Sequence, residues 1–215
     1  MAKIKNKASL NRAEVLRYLS CKSVDEITDR YITECEAMLF EKCTPAYVYG
    51  CFDVDTSGGK AVIDKYMIFG GADIKKHLSQ SRKCAVMAVT LGIEADRQIR
   101  SLSVTSVAKA VVMDACATAY IEQLCDMVQG EISQKHGNVN FRYSPGYGDF
   151  PIDAQFDILK LLDAQRKIGL TLSGTKMLIP SKSVTAVPGF VDEDTACRKT
   201  KCEGCLNKTR CEYSK

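Results

Sequence analysis

The sequence predicts an α+β fold with a mainly antiparallel sheet. Three observations carry this: helical and strand-like periods are both present, two adjacent strand-like runs flank a turn, and no internal repeat supports a solenoid or propeller. The 215 residues are 46% hydrophobic, enough apolar material for one well-filled core. Asn11 with Glu14 and Ser23 with Glu26 have capping-box spacing, in which an acceptor side chain precedes a Glu by three positions. Two helices are therefore expected to open the chain, the second burying Ile27, Tyr31, Ile32, Cys35 and Leu39. Residues 46–54 and 61–69 are aromatic and β-branched runs around Asp55, Ser57, Gly58 and Gly59, which reads as a hairpin. The continuous apolar run 83–91 is short enough for a buried strand, and Gly92 ends it.

Residues 94–134 lack proline and are rich in Ala, Val, Met and Glu, so they predict a long helix or a broken pair whose 108–124 part is central. Gly137 and Asn138 end it, and 139–143 reads as a short strand. Pro145, Gly146, Gly148 and Pro151 make 144–151 neither helix nor strand. Asp153 is placed to cap a helix carrying Phe156, Leu159, Leu162 and Ile168, and 170–172 and 183–187 read as strands. The expected organisation is a domain over 1–190 and a Cys-rich tail over 191–215.

The net charge of +4 is too mild to argue for nucleic-acid binding without a basic patch. The longest apolar stretch, 108–121, is interrupted by Lys109 and Asp114 and falls short of the ~20 residues of a bilayer span. No export signal follows the basic N-terminus, so a cytoplasmic location is expected. In that setting eleven cysteines do not form a disulfide framework. Cys21, Cys35, Cys43, Cys51, Cys84, Cys116 and Cys125 lie in apolar segments and read as packing. His77 and His136 have no Cys or Glu at ligand spacing and read as surface or helix-end residues. Phosphate-loop, dinucleotide, zinc-protease and nucleophile-elbow motifs are absent from the sequence.

The loop beginning at Arg142 carries the most chemistry. Glycine lets a ligand approach main-chain groups closely, proline stiffens the loop, and arginine grips a carboxylate through two parallel hydrogen bonds. Such a loop suits a small zwitterion. The other reading is a rigid connector with a structural Arg142 ion pair.

Arg142, Gly146 and Tyr147, then Pro151, an amphipathic helix, Ile168-Gly169-Leu170-Thr171 and Pro180-Ser181-Lys182-Ser183-Val184-Thr185-Ala186 resemble the activation domain of cobalamin-dependent methionine synthase, above all its free-standing form. The likeness is densest over 138–190. It implies binding of S-adenosylmethionine and reductive methylation of cob(II)alamin on a partner. Arg142 would take the ligand's carboxylate, and Ser144, Gly146 and Tyr147 would line the nucleoside and sulfonium. The resemblance also implies an acid from the central helix for the ligand's ammonium, either Asp114 or Glu122. Departures are plain: Gly148 follows Tyr147 where the family has proline, and a distal tyrosine and an N-terminal acid of the family lack clear counterparts. The implied partner is the cobalamin-binding module of a methionine synthase lacking its own activation domain, or of another corrinoid protein. A flavodoxin- or ferredoxin-type donor would supply the electron.

Cys197, Cys202, Cys205 and Cys211 are spaced to close around one metal. Four thiolates satisfy tetrahedral zinc, and Cys-x4-Cys-x2-Cys also occurs in iron–sulfur ligation; a tail without metal is the third reading. The chain is thus expected to be a component of a methyltransferase system. The alternative is a metal-binding redox or interaction protein of corrinoid metabolism without S-adenosylmethionine-dependent activity.

Overall fold

Helix α1 (Arg12–Tyr18) starts where Asn11 accepts the Glu14 amide, as its capping spacing requires. A computed structural model describes residues 2–3, 9–21 and 23–192. Helix α2 (Glu26–Lys42) is capped by Asp25, whose carboxylate accepts the Thr28 amide at 2.7 Å, rather than by Ser23. Asp25 is the nearer acceptor, and helix entry needs only one. Ile32, Cys35 and Leu39 are buried as the spacing predicted, whereas Ile27 is exposed.

Strand β1 (Ala2–Lys3) pairs with β2 (Ala46–Asp55), and β2 pairs antiparallel with β3 (Ala61–Ile63). The expected single strand over 61–69 is instead two, β3 and β4 (Met67–Phe69), paired Ala61 to Phe69. Asp64 and Lys65 both take positive φ, the turn geometry that matches the twist of paired strands. Helix α3 (Ala72–Leu78) leads into β5 (Lys83–Thr90), buried at every position after Lys83. The 94–134 region is a broken pair, α4 (Ile93–Thr105) and α5 (Val107–His136), separated by an extended Ser106. Residues 139–143 are not a strand. Val139 makes one bridge, to Phe190, and the backbone beyond it bonds to loops and side chains. Asp153 makes no capping bond, and the helix after it divides at a left-handed Asp163 into α6 (Ala154–Leu162) and α7 (Ala164–Ile168). Phe156 is exposed instead of lying in the core. Strand β6 (Thr171–Leu172) pairs with an unanticipated β7 (Leu178–Ile179), and β8 (Ser183–Ala186) follows. The fold is α+β, with the antiparallel sheet order β4-β3-β2-β5-β8 and β1 beside β2.

The chain forms two compact units, with β2, β5, α5 and β8 contributing residues to both. One comprises residues up to Val48, Val89–Asp126 and Ala164–Val184. Its core includes Ile32, Leu39, Leu91, Met113 and Leu124, with Phe40 set edge-on to Tyr120 at 5.1 Å. The other comprises Tyr49–Ala88, Met127–Asp163 and, among the described residues, 185–192, and packs Ile63, Phe69, Ile74, Met87 and Phe150. Among the seven cysteines read as packing, Cys35, Cys43, Cys84, Cys116 and Cys125 are buried. Burial pushes Cys84 and Cys116 up to about 12, so these thiols are protonated and inert. Cys51 is exposed because the β2 face that bears it is uncovered, and Cys21, in the loop after α1, is half-buried. Among the described residues no helix is long and apolar enough to cross a membrane.

Leu39→Ala is expected to destabilise the protein by about 2–5 kcal/mol in urea unfolding, the range for a buried leucine truncation. Ile27→Ala is expected to change it by less than about 0.5 kcal/mol.

Candidate functional site

The loop after Arg142 is built by its own backbone and by α3. Tyr147 N–H donates to Ser144 O at 3.2 Å, Phe150 N–H to Tyr147 O at 3.0 Å, and Gly146 N–H to Phe150 O at 2.8 Å. Asp149 then binds the start of α3: its carboxylate accepts Ala72 N–H at 2.6 Å and Asp73 N–H at 2.9 Å. Asp73 reciprocates, accepting Asp149 N–H at 3.2 Å. This is a capping box made between two distant segments. It explains two glycines. Gly71 has φ +105°, and a Cβ there would lie 2.7 Å from Asp149 O; Gly148 has φ +53°, and a Cβ there would lie 2.6 Å from Tyr143 Oη. Both allow close approach in conformations that other residues rarely adopt.

Aromatic packing supports the loop from behind. Tyr143 stacks on His77 with centroids 5.2 Å apart and on Phe150 at 6.3 Å, while Phe150 meets Phe69 edge-on at 5.1 Å. His77, at the end of α3 as expected, also donates from Nε2 to Val187 O at 3.1 Å. Burial raises the Tyr143 phenol, and the charges of Asp73 and Asp149 raise it further; it is therefore a neutral hydroxyl at physiological pH. Tyr147 is 65% exposed and tilted 6.2 Å from Tyr143, so its ring is accessible at the loop surface.

Arg142 is half-buried, and its Nη1 lies 3.4 Å from Gln129 Oε1. Gln129 Nε2 donates to Asn140 O at 3.1 Å. Asn140 is in turn clamped, its side chain donating to His77 O at 3.0 Å and accepting Gly189 N–H at 2.8 Å. The guanidinium is thus carried by a segment anchored at both ends of α3, and its fork of N–H donors is of the kind that matches a planar anion such as a carboxylate. Gln129, Asn140 and Asp149 were not singled out from the sequence. Only Asp149 had a local signal, an acid inside a glycine-rich loop, and its partner lies 76 positions away.

Arg142, Ser144, Gly146 and Tyr147 share one segment of one unit. Asp114 and Glu122 belong to the other unit. Asp114 Oδ1 is paired with Lys182 Nζ at 2.8 Å, and the charge of Glu122 acts on the Tyr18 phenol, which burial chiefly raises. Among the described residues no cluster of metal-ligating side chains is present; Cys197, Cys202, Cys205 and Cys211 lie outside the described residues.

Hydrogen bonds from Asp73 N–H and Ala72 N–H hold the Asp149 carboxyl below its ordinary 3.8. The stabilisation is complete above that value and lost as pH falls through the lowered folded one. Asp149→Ala is expected to lower the melting temperature at pH 7 and to differ less from the wild type near pH 2.5; an equal deficit at both would contradict this.

No protein-family model matches the chain, and no curated protein matches it. Among solved structures it is similar to the MetH reactivation domain bound to AdoHcy, with a TM-score of 0.62 and 15% identity over 80% of this chain and 68% of that one. At this identity the likeness concerns architecture. The chain has the fold of the MetH reactivation domain.

Proposed function

We propose that the chain binds S-adenosylmethionine and supports reductive methylation of cob(II)alamin on a partner corrinoid protein, a methionine synthase lacking its own activation domain. The observation that carries this reading is the Arg142 guanidinium, oriented by Gln129 in a rigid glycine loop, in a fold whose solved neighbour holds AdoHcy. Arg142 takes the methionyl carboxylate through charge-assisted hydrogen bonds. Ser144 and Gly146 line the ligand with backbone, and the exposed Tyr147 ring offers a face to the sulfonium cation. The partner's cobalamin supplies the methyl acceptor once a flavodoxin- or ferredoxin-type donor has reduced it by one electron. No acid, base or covalent nucleophile is required of this chain, so alignment of the donor is its contribution.

The tail is proposed to hold zinc or an iron–sulfur cluster through Cys197, Cys202, Cys205 and Cys211, as an appendage to a domain over 1–190. Metal content and visible absorption of the full chain distinguish the two. Asp114→Asn and Glu122→Gln test the expectation, taken from the family resemblance, that one of these acids serves the ligand's ammonium.

Calorimetric titration of S-adenosylmethionine is expected to show saturable binding that Arg142→Ala weakens at least about tenfold, the scale of one charge-assisted contact. Equal affinity in the variant would remove Arg142 from the site, and no binding to the wild type would overturn the reading.

A further inference from the structure

A groove of about 510 Å³ opens between the tip of the β2–β3 hairpin and α3, both within one of the two units. Its volume lies in the ~300–1,000 Å³ range of small-ligand sites. Gly59 and Lys60 line it from the hairpin, and Ala72, Lys75, Lys76 and Ser79 line it from the helix. The helical set follows from spacing, because positions i, i+3, i+4 and i+7 share a face. The opposite face of α3 buries Ile74 and Leu78 completely, and the helix rests against β3, which begins one residue after Lys60. Packing of the apolar face thus turns the lysine face outward, beside Lys60.

Charge is segregated in this groove. The three ionisable side chains that line it are all lysines, and no carboxylate joins them. Lys83, Lys109, Lys135 and Lys182 each have a carboxylate partner, whereas Lys60, Lys75 and Lys76 have none among the described residues. The acids of the same segments are engaged elsewhere: Asp55 accepts Ser57 N–H at 2.8 Å, and Asp73 accepts Asp149 N–H at 3.2 Å. At Gly59 an added Cβ would meet no atom within 4 Å, so the main chain at the hairpin tip is open to a ligand. A cleft lined by one sign of charge focuses the field and concentrates counter-ions.

We propose that this groove is a binding site for a small ligand carrying a diphosphate group. Lysines are point charges that hold phosphate without the planar match that suits arginine to a carboxylate. Ammonium groups from two walls suit tetrahedral groups, whose oxygens point in several directions. A phosphate monoester carries about −1.5 to −2 at pH 7, so three cations are balanced by two phosphate groups better than by one. The inference rests on the hairpin tip and α3 and does not depend on the S-adenosylmethionine reading.

Calorimetric titration of the full chain with pyrophosphate in a low-salt, metal-free buffer tests it, with citrate as an anion of comparable charge that lacks phosphate. Saturable pyrophosphate binding is expected, at least about tenfold tighter than citrate binding. Lys60→Gln, Lys75→Gln and Lys76→Gln are each expected to weaken it about fivefold, the scale of one exposed charge-assisted contact. Gly59→Asp, which adds a carboxylate to the open wall, is expected to weaken it more than about tenfold. Lys160→Gln removes the same charge from an exposed site on α6 and is expected to change it less than about twofold. ADP binding that shows the same losses would support a nucleotide as the source, and pyrophosphate binding without ADP binding would support a free diphosphate. Equal affinity for citrate, an equal loss from Lys160→Gln, or undiminished binding in the folded lysine variants would overturn the proposal, as would failure of the wild type to bind pyrophosphate. Melting curves establish that each variant folds.

Discussion

The reciprocal contact between Asp149 and the first turn of α3 is the constraint on which the loop geometry depends. The Asp149 carboxylate satisfies two amides that a helix start leaves without intrahelical partners, and Asp73 returns one bond to the Asp149 amide. Because 76 positions separate the partners, this is tertiary structure performing a local capping task. It fixes one end of the 144–150 loop, while Asn140 fixes the segment before Arg142 by binding His77 O and Gly189 N–H. Between these anchors the Tyr143 ring is stacked and the Arg142 guanidinium is oriented by Gln129. Preorganisation of this kind lets a binding loop meet its ligand without first losing chain entropy.

The elements with strong periodicity were legible in the sequence. Helix α2 stands where its apolar spacing put it, because burial against a core enforces the same period that the sequence displays; the strand over 83–90 follows its continuous apolar run, and the 94–134 region, read from composition as a long helix or a broken pair, is the broken pair. Elements whose limits depend on a few polar residues were less legible. Asp64 and Lys65 turn a run of strand formers back on itself, Asp163 divides a helix through a left-handed conformation, and Asp25 caps in place of Ser23. Each outcome depends on a local competition of about 1 kcal/mol that tertiary context decides. The candidate loop was visible as glycine, proline and arginine in one stretch. Its supports were not, since Gln129, Asn140 and Asp73 are ordinary polar residues until the fold brings them to their partners.

Charge on the central helix illustrates the same limit. Asp114, Thr118 and Glu122 share one helical face by spacing, and the family resemblance implies that one of the two acids receives a ligand's ammonium. The structure gives Asp114 and Thr118 a partner cation, Lys182, from a segment 64 positions beyond Thr118. The same Pro180-Ser181-Lys182-Ser183 stretch that carried the family resemblance supplies that cation.

The most direct measurement is an amide chemical-shift map of the isotope-labelled chain during titration with AdoHcy. The account predicts that the largest perturbations fall on the amides of 142–150, together with the Gln129 side-chain amide that orients Arg142. Binding with perturbations confined to other segments, leaving 142–150 and Gln129 unmoved, would contradict it.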